Sequence, residues 1–435
     1  MIAPEHIPWL LKQPKSILST EPVRDSIMGM RFTAFPELSK NRRVLYSVLL
    51  KNLSRHLGQF TAETWDEIDA AFKETWSGAK SRERETGEEE GGDEEGEWVE
   101  VSLYKGMQDV ALRATNRVFL GKEKCRDPIL AKNVLSWAHL MATTGALLRI
   151  LVPDVLLPVL GPLVALPCNW RGRQSIQMLL PDIRQQLDTA VKAGPSDDNS
   201  GKQAEGDDGG MIHWLVQLAL AADDPGERRP EVIAQRLLFL DFAAIHTTAM
   251  TLVNLVVDLV AADPSEQYLE SIRIEAEEAL AAAGGTWTRE ALSRLHKADS
   301  AIRETLRYWG FGGRGVVHQV MPREGVVLPD GQWLPQGAWV GIPVGPIHRD
   351  DDVYANANTY DAFRFFNERE EVRKKLVNSS EGSGPEKTDA RFEELLREKK
   401  LGLVSVGERF LAFGVGRDAW YASHNWISIT HHSID

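Results

Sequence analysis

Apolar residues recur at helical spacing over most of this chain and alternate in only one stretch, which predicts a mainly α protein with one small antiparallel sheet. Residues 1–78 carry helical periodicity interrupted at Pro14, Pro22 and Pro36, with Val44, Val48, Leu49 and Leu53 on one apolar face. Residues 101–150 read as two helices, the first marked by Val110, Ala114, Val118 and Phe119. The longest helix is predicted from Pro230, at a first position that tolerates proline, to Asp263 before Pro264. Leu237, Leu238, Phe239, Leu240, Phe242, Leu252, Val253, Leu255, Val256, Val257 and Leu259 surround its axis, as in a helix buried at the centre of a protein. Asp241, His246, Asn254 and Asp258 argue against a membrane span there. Two further helices follow in 266–310, broken at Gly284 and Gly285. From Val316 to Val344 short β-favouring runs alternate with turn residues, and 367–402 returns to charged helix.

Two polar segments interrupt this pattern, 79–97 and 194–210, and their Gly, Glu and Asp content cannot support a packed core. They read as disordered acidic insertions within a single domain spanning 1–435. Residues 82–100 hold ten acids against two arginines and 196–209 hold five acids against Lys202, so these stretches carry nearly all of the formal charge of −13. The remaining chain is close to neutral, which excludes a nucleic-acid surface. Two cysteines, Cys125 and Cys168, exclude a disulfide framework and favour a reduced compartment. The segment Ile150–Pro167 is strongly apolar, but prolines at 153, 158, 162 and 167 argue against a spanning helix. It reads as a buried or half-buried loop, or as a greasy surface loop resting on a membrane.

Candidate chemistry lies in four places. In "FAAIHTT" (Phe242–Thr248), Ala243, Ala244, Thr247 and Thr251 form a stripe of small side chains on the long helix. Close helix packing uses the same residues; alternatively, something flat lies in the notch, with Thr247 and His246 able to relay a proton. Glu304 and Arg307, three apart in "AIRETLRYW", share a helix face, and Arg364 stands between Phe363 and Phe365 in "YDAFRFF". These three charges read as a buried triad that locks geometry. "FLAFGVGR" places Phe413, Gly414 and Gly416 in a loop whose backbone can approach a large flat ligand.

Together these segments, with "NRVFLGKEKCRDP" (116–128) and "IHRDDDVY" (347–354), resemble the cytochrome P450 monooxygenases, specifically fungal enzymes of secondary metabolism. The resemblance covers the chain to about Arg417. It implies a helical fold with haem b clamped between the long helix and the Phe-Gly-x-Gly loop, incomplete here at both termini. It also implies insertion of one oxygen atom from O₂ into a hydrophobic natural-product intermediate, with electrons from NADPH–cytochrome P450 reductase. Thr247 and His246 match catalytic positions, Ala243, Ala244, Arg314, Phe413, Gly414 and Gly416 match cofactor-binding ones, and Glu304, Arg307 and Arg364 match the structural triad. The expected setting is the cytoplasm or the cytoplasmic face of the endoplasmic reticulum, with peripheral membrane contact through 150–167.

The family's loop continues to an axial cysteine thiolate. Here Asp418 takes the position often held by histidine and Trp420 that of the cysteine. An indole offers an N–H donor and no metal lone pair, so no metal ligand is assigned. His424, His431 and His432 lie in a polar tail, 418–435, that does not resemble the family. Both ends read as cut, as in an incomplete gene model or a decayed copy. Two other classes therefore stay open: an inactive remnant without thiolate ligation, and a helical module that binds membrane surfaces.

Overall fold

The computed structural model describes residues 1–33, 53, 56–84, 100–193, 210–378, 395, 398–403, 405–416 and 419. The larger helices are α1 (Thr61–Arg84), α2 (Leu103–Leu120), α3 (Pro128–Leu151), α4 (Leu157–Val164), α5 (Leu166–Ala193), α6 (Met211–Leu220), α7 (Pro230–Ala261), α8 (Tyr268–Ala282), α9 (His296–Trp309), α10 (Val344–His348) and α11 (Arg364–Asn378). Their boundaries follow local chemistry. Pro128 opens α3 where its missing N–H costs nothing, and the Asp127 carboxylate accepts from the N–H groups of Ile129 (2.9 Å) and Leu130 (3.1 Å). The central helix α7 runs for 32 residues, about 48 Å, over the span its flanking prolines predict.

Helix α7 packs against α2, α5, α6 and α9. Around its first half Leu237, Leu238 and Ile245 join Trp137, Leu179 and Leu215 in one large core. Around its second half Leu255 and Leu259 join Ile302, Leu306, Phe365, Phe410 and Phe413 in another. Helices α3 and α7 are each long and apolar enough to cross a membrane. In α7 that apolarity is used inward, because the helix has protein on several sides.

A third core joins the N-terminal residues Ile7, Leu10 and Leu18 to Val320, Val340 and Ile342 of the sheet, and to Leu411 and Val415. The alternating stretch forms two antiparallel sheets instead of the single one its pattern predicts. Strands β1 (Leu18–Ser19), β2 (Gly315–Val320) and β5 (Trp339–Ile342) pair in the order β1-β2-β5. β3 (Val326–Val327) and β4 (Trp333–Leu334) make a separate hairpin. β1 lies in a region of helical periodicity; two residues are too few for a period, and pairing with Val320 and Gln319 defines the strand.

Three other expectations meet the structure. Residues 152–167 are not a buried loop: the chain turns at 152–156 and re-enters helix in α4 and α5. Pro158 falls in the first turn of α4, where proline is tolerated. Gly161 sits on the Phe32 ring, where an added Cβ would come within 2.7 Å, and the opposite face, Val155 (88% exposed), Val159 and Leu163, is open. The acidic insertion begins later than residue 79, because α1 continues to Arg84, and 85–97 lie outside the described residues. So do 194–209, Val44, Val48 and Leu49, whereas Leu53 is buried as expected.

Candidate functional site

On α7 the small-residue stripe is half-open beside positions that are fully packed. Ala243, Ala244, His246 and Thr247 are half-buried, while Ile245, Thr248, Ala249 and Leu252 are fully packed. Thr251, the last residue of the predicted stripe, is buried. The Thr247 hydroxyl donates to the carbonyl of Ala243 (2.9 Å), and those of Thr248 and Thr251 donate to Ala244 (2.7 Å) and Thr247 (3.0 Å). Each hydroxyl is thereby anchored to its own helix with its oxygen free to accept.

His246 does not stand alone with Thr247. Its ring lies 4.8 Å from that of His139 on α3, and the Gln108 amide nitrogen on α2 lies 3.4 Å from His246 Nδ1 and 3.0 Å from His139 Nε2. The Tyr104 hydroxyl lies 3.2 Å from the same nitrogen. Burial, aided by His139, pushes the His246 pKa down to about 4, so the ring is neutral near neutral pH. One turn and a half earlier, Asp241 is fully buried and neither carboxyl oxygen has a hydrogen-bond partner among the described residues; burial raises its pKa well above the ordinary range.

The predicted triad assembles. Arg307 grips Glu304 with both forks, Nε to Oε2 and Nη2 to Oε1 at 2.7 Å each, and Arg364 Nε donates to the same two oxygens at 3.1 and 3.2 Å. The remaining donors of both arginines go to backbone carbonyls, Arg307 Nη1 to His348 (2.5 Å) and Ala357 (2.7 Å), Arg364 to Ala355 (2.5 Å) and Thr359 (3.0 Å). Glu304 is 0% exposed, so the three charges are viable there only because they are paired with one another and hydrogen-bonded to backbone carbonyls.

Arg303, one residue before Glu304, was not singled out from sequence, yet it holds the approach to the glycine loop. Its guanidinium donates to the carbonyls of Gly402, Leu403 and Ser405 and lies 3.7 Å from the centre of the Phe410 ring. His348, inside "IHRDDDVY", was likewise missed: its Nε2 accepts from the Leu411 N–H at 2.9 Å and its ring stacks on Phe410. The loop itself is a seam. Phe410 and Phe413 enter the helical core while Leu411 and Val415 enter the sheet core. Gly414 (φ 77°) and Gly416 (φ 74°) adopt left-handed backbone that favours glycine, and a Cβ on Gly416 would meet Leu11 at 2.9 Å.

Arg314 is exposed just before β2 and forms no ion pair among the described residues. Next to it Val316 holds φ 48°, a strained conformation for a β-branched residue, at the irregular register of β2 with β5. Arg417, Asp418, Trp420 and the three tail histidines lie outside the described residues. Cys125 and Cys168 are buried elsewhere. Their thiols donate to the carbonyls of Lys122 (3.1 Å) and Thr33 (3.6 Å), and burial raises their pKa values to about 11 and about 12.

The Cytochrome P450 family model matches residues 20–385. The chain is 26% identical over 427 residues to cytochrome P450 monooxygenase polB of Polytolypa hystricis, covering 97% of this chain and 74% of the relative. It is 29% identical over 392 residues to okaG of Penicillium ochrochloron (89% and 68%). It is 30% identical over 376 residues to cytochrome P450 monooxygenase 71 of Postia placenta (85% and 68%). Among solved structures it resembles the retinoic acid-bound cyanobacterial CYP120A1, with TM-score 0.57 and 16% identity, covering 98% of this chain and 78% of that one. It also resembles the haem domain of cytochrome P450DA, with TM-score 0.60 and 13% identity, covering 99% and 78%.

Proposed function

Since the chain belongs to the cytochrome P450 family, we propose that its scaffold is built for haem-dependent monooxygenation of a hydrophobic natural-product intermediate, and that the oxidising step is closed to this chain because Trp420 stands where the axial thiolate belongs. The substrate class rests on the resemblance of its motifs to fungal enzymes of secondary metabolism; NADPH–cytochrome P450 reductase is the expected electron donor. A haem of this family supplies reductive activation of O₂.

The residues fit the ring of such a group on both sides. Ala243, Ala244 and Thr247 leave a half-open, shallow face on α7, and Gly414 and Gly416 keep the glycine loop free of side-chain bulk. The axial donor does not fit. From Phe410 to Asp435 the chain has no cysteine, and both of its thiols are committed elsewhere as protonated donors. That missing thiolate is the observation that carries the proposal.

What the chain's own residues can do is bind and orient. The Glu304–Arg307–Arg364 network and His348 hold the glycine loop in place. Thr247 can accept a proton-bearing group at Oγ1, and neutral His246 carries one ring proton beside it. A CO difference spectrum of the reduced, haem-supplied protein tests the proposal.

We further propose that the protein sits at the cytoplasmic face of the endoplasmic reticulum. The exposed side chains Ile150, Leu151, Val155, Val159 and Leu163 support contact with the lipid surface. Vesicle flotation of the protein should fall when Val155 and Val159 are both changed to Asp; undiminished flotation rules this contact out.

A further inference from the structure

Four polar side chains from three helices converge beside the small-residue stripe: Tyr104 and Gln108 on α2, His139 on α3 and His246 on α7. The Gln108 amide nitrogen faces ring nitrogens of both histidines, and an amide N–H₂ only donates. Its two hydrogens go to the two ring nitrogens, His246 Nδ1 and His139 Nε2, with the exposed Tyr104 hydroxyl left to solvent, and both nitrogens are then unprotonated acceptors. A neutral imidazole carries one proton, so the proton of His246 is left on Nε2. That atom is buried and has no partner among the described residues. A buried donor without an acceptor is destabilising, and a bound oxygen atom that accepts from it relieves that cost.

We propose that Gln108 is a positioning residue: its amide locks His246 in the neutral form protonated at Nε2, presenting a fixed N–H beside Thr247 to an oxygen-bearing group of an otherwise apolar bound molecule. The lock is a property of the protein alone. Its use by a bound molecule rests on the function proposed above. Because His246 is held mostly out of water and next to a second imidazole, it stays neutral where exposed histidines begin to charge. The tautomer, which a neutral ring could otherwise exchange freely, is what Gln108 decides.

Long-range ¹H–¹⁵N correlation spectra of the full-length protein, labelled at histidine nitrogen and recorded at pH 7.5, test the lock without haem or substrate. The His246 signals are assigned by their loss in His246→Gln. The expected result is a single neutral form protonated at Nε2. In Gln108→Leu the lock is removed and His246 shows both tautomers. In Gln108→Glu an acceptor replaces the donor, and the facing nitrogen of His246 or His139 gains the proton. A role for Gln108 in packing alone would not produce that reversal. Thermal unfolding shows which variants are folded, and the wild-type spectrum decides the matter if neither is. His246 protonated at Nδ1 in the wild type, as a reversed amide would impose, overturns the proposal. So does a tautomer unchanged in folded Gln108→Leu and Gln108→Glu. Failure of the CO spectrum to match the proposed function leaves this result untouched, since no iron is involved.

Discussion

His348 Nε2 accepts a hydrogen bond from the backbone N–H of Leu411 at 2.9 Å, and through it the charged triad reaches the glycine loop. The His348 carbonyl in turn takes Arg307 Nη1, so one residue is bonded to the triad by its backbone and to the loop by its ring. The loop's geometry is therefore set by side chains far away in sequence as much as by its own glycines.

Replacing His348 by Phe keeps the stack on Phe410 and removes the acceptor. The Leu411 N–H is then buried and unpaired, which costs about 1–3 kcal/mol. Denaturant unfolding should show a loss of that size for His348→Phe and a smaller one for His348→Gln, whose amide oxygen can still accept.

Acid should weaken the fold before its carboxylates titrate. Burial and the neighbouring Arg307 push the His348 pKa down to about 4, against 6.5 for the ordinary group. The unfolded chain then binds more protons than the folded one between these values. Stability from this group is complete above pH 6.5 and lost as pH falls toward 4, by on the order of 3 kcal/mol. His246 acts in the same direction. Unfolding free energy measured from pH 7.5 to 4.5 should fall, and the fall should be shallower in His348→Gln.

Asp241 has the opposite sign. Its carboxyl, fully buried without a hydrogen-bond partner, ionises at higher pH in the folded protein than in the unfolded chain, so its contribution is present in acid and lost as pH rises. Asp241→Asn keeps the shape and removes the ionisation. Its stability relative to wild type should grow with pH by up to about 1.4 kcal/mol per unit. Parallel melting curves from pH 5 to 8 check this; a gap independent of pH would mean that Asp241 is ionised in the folded protein.

The sequence made the central helix legible because its signals are local: Pro230 and Pro264 bound it and the apolar residues surround it. Glu304, Arg307 and Arg364 were legible because helix spacing and flanking aromatics point to one buried site. The 150–167 segment was misread because prolines counted as breakers also serve in first helical turns, as Pro158 does in α4. Gln108, His139 and His348 carried no signal. Their roles arise where separate helices, or a helix and a loop, meet, and no spacing within one element encodes that. Arg303 lay in plain view beside Glu304, but its partners are backbone carbonyls of residues 400–405, which a residue pattern cannot display.

The proposed reading leaves this P450 scaffold without the axial thiolate, because Trp420 takes the cysteine position of the family's loop. The most direct measurement is the difference spectrum of the reduced, CO-treated 435-residue protein expressed with ample haem. No thiolate-type Soret band is expected. A thiolate-type band from this chain would contradict that reading, and would require a cysteine ligand other than one in the glycine loop.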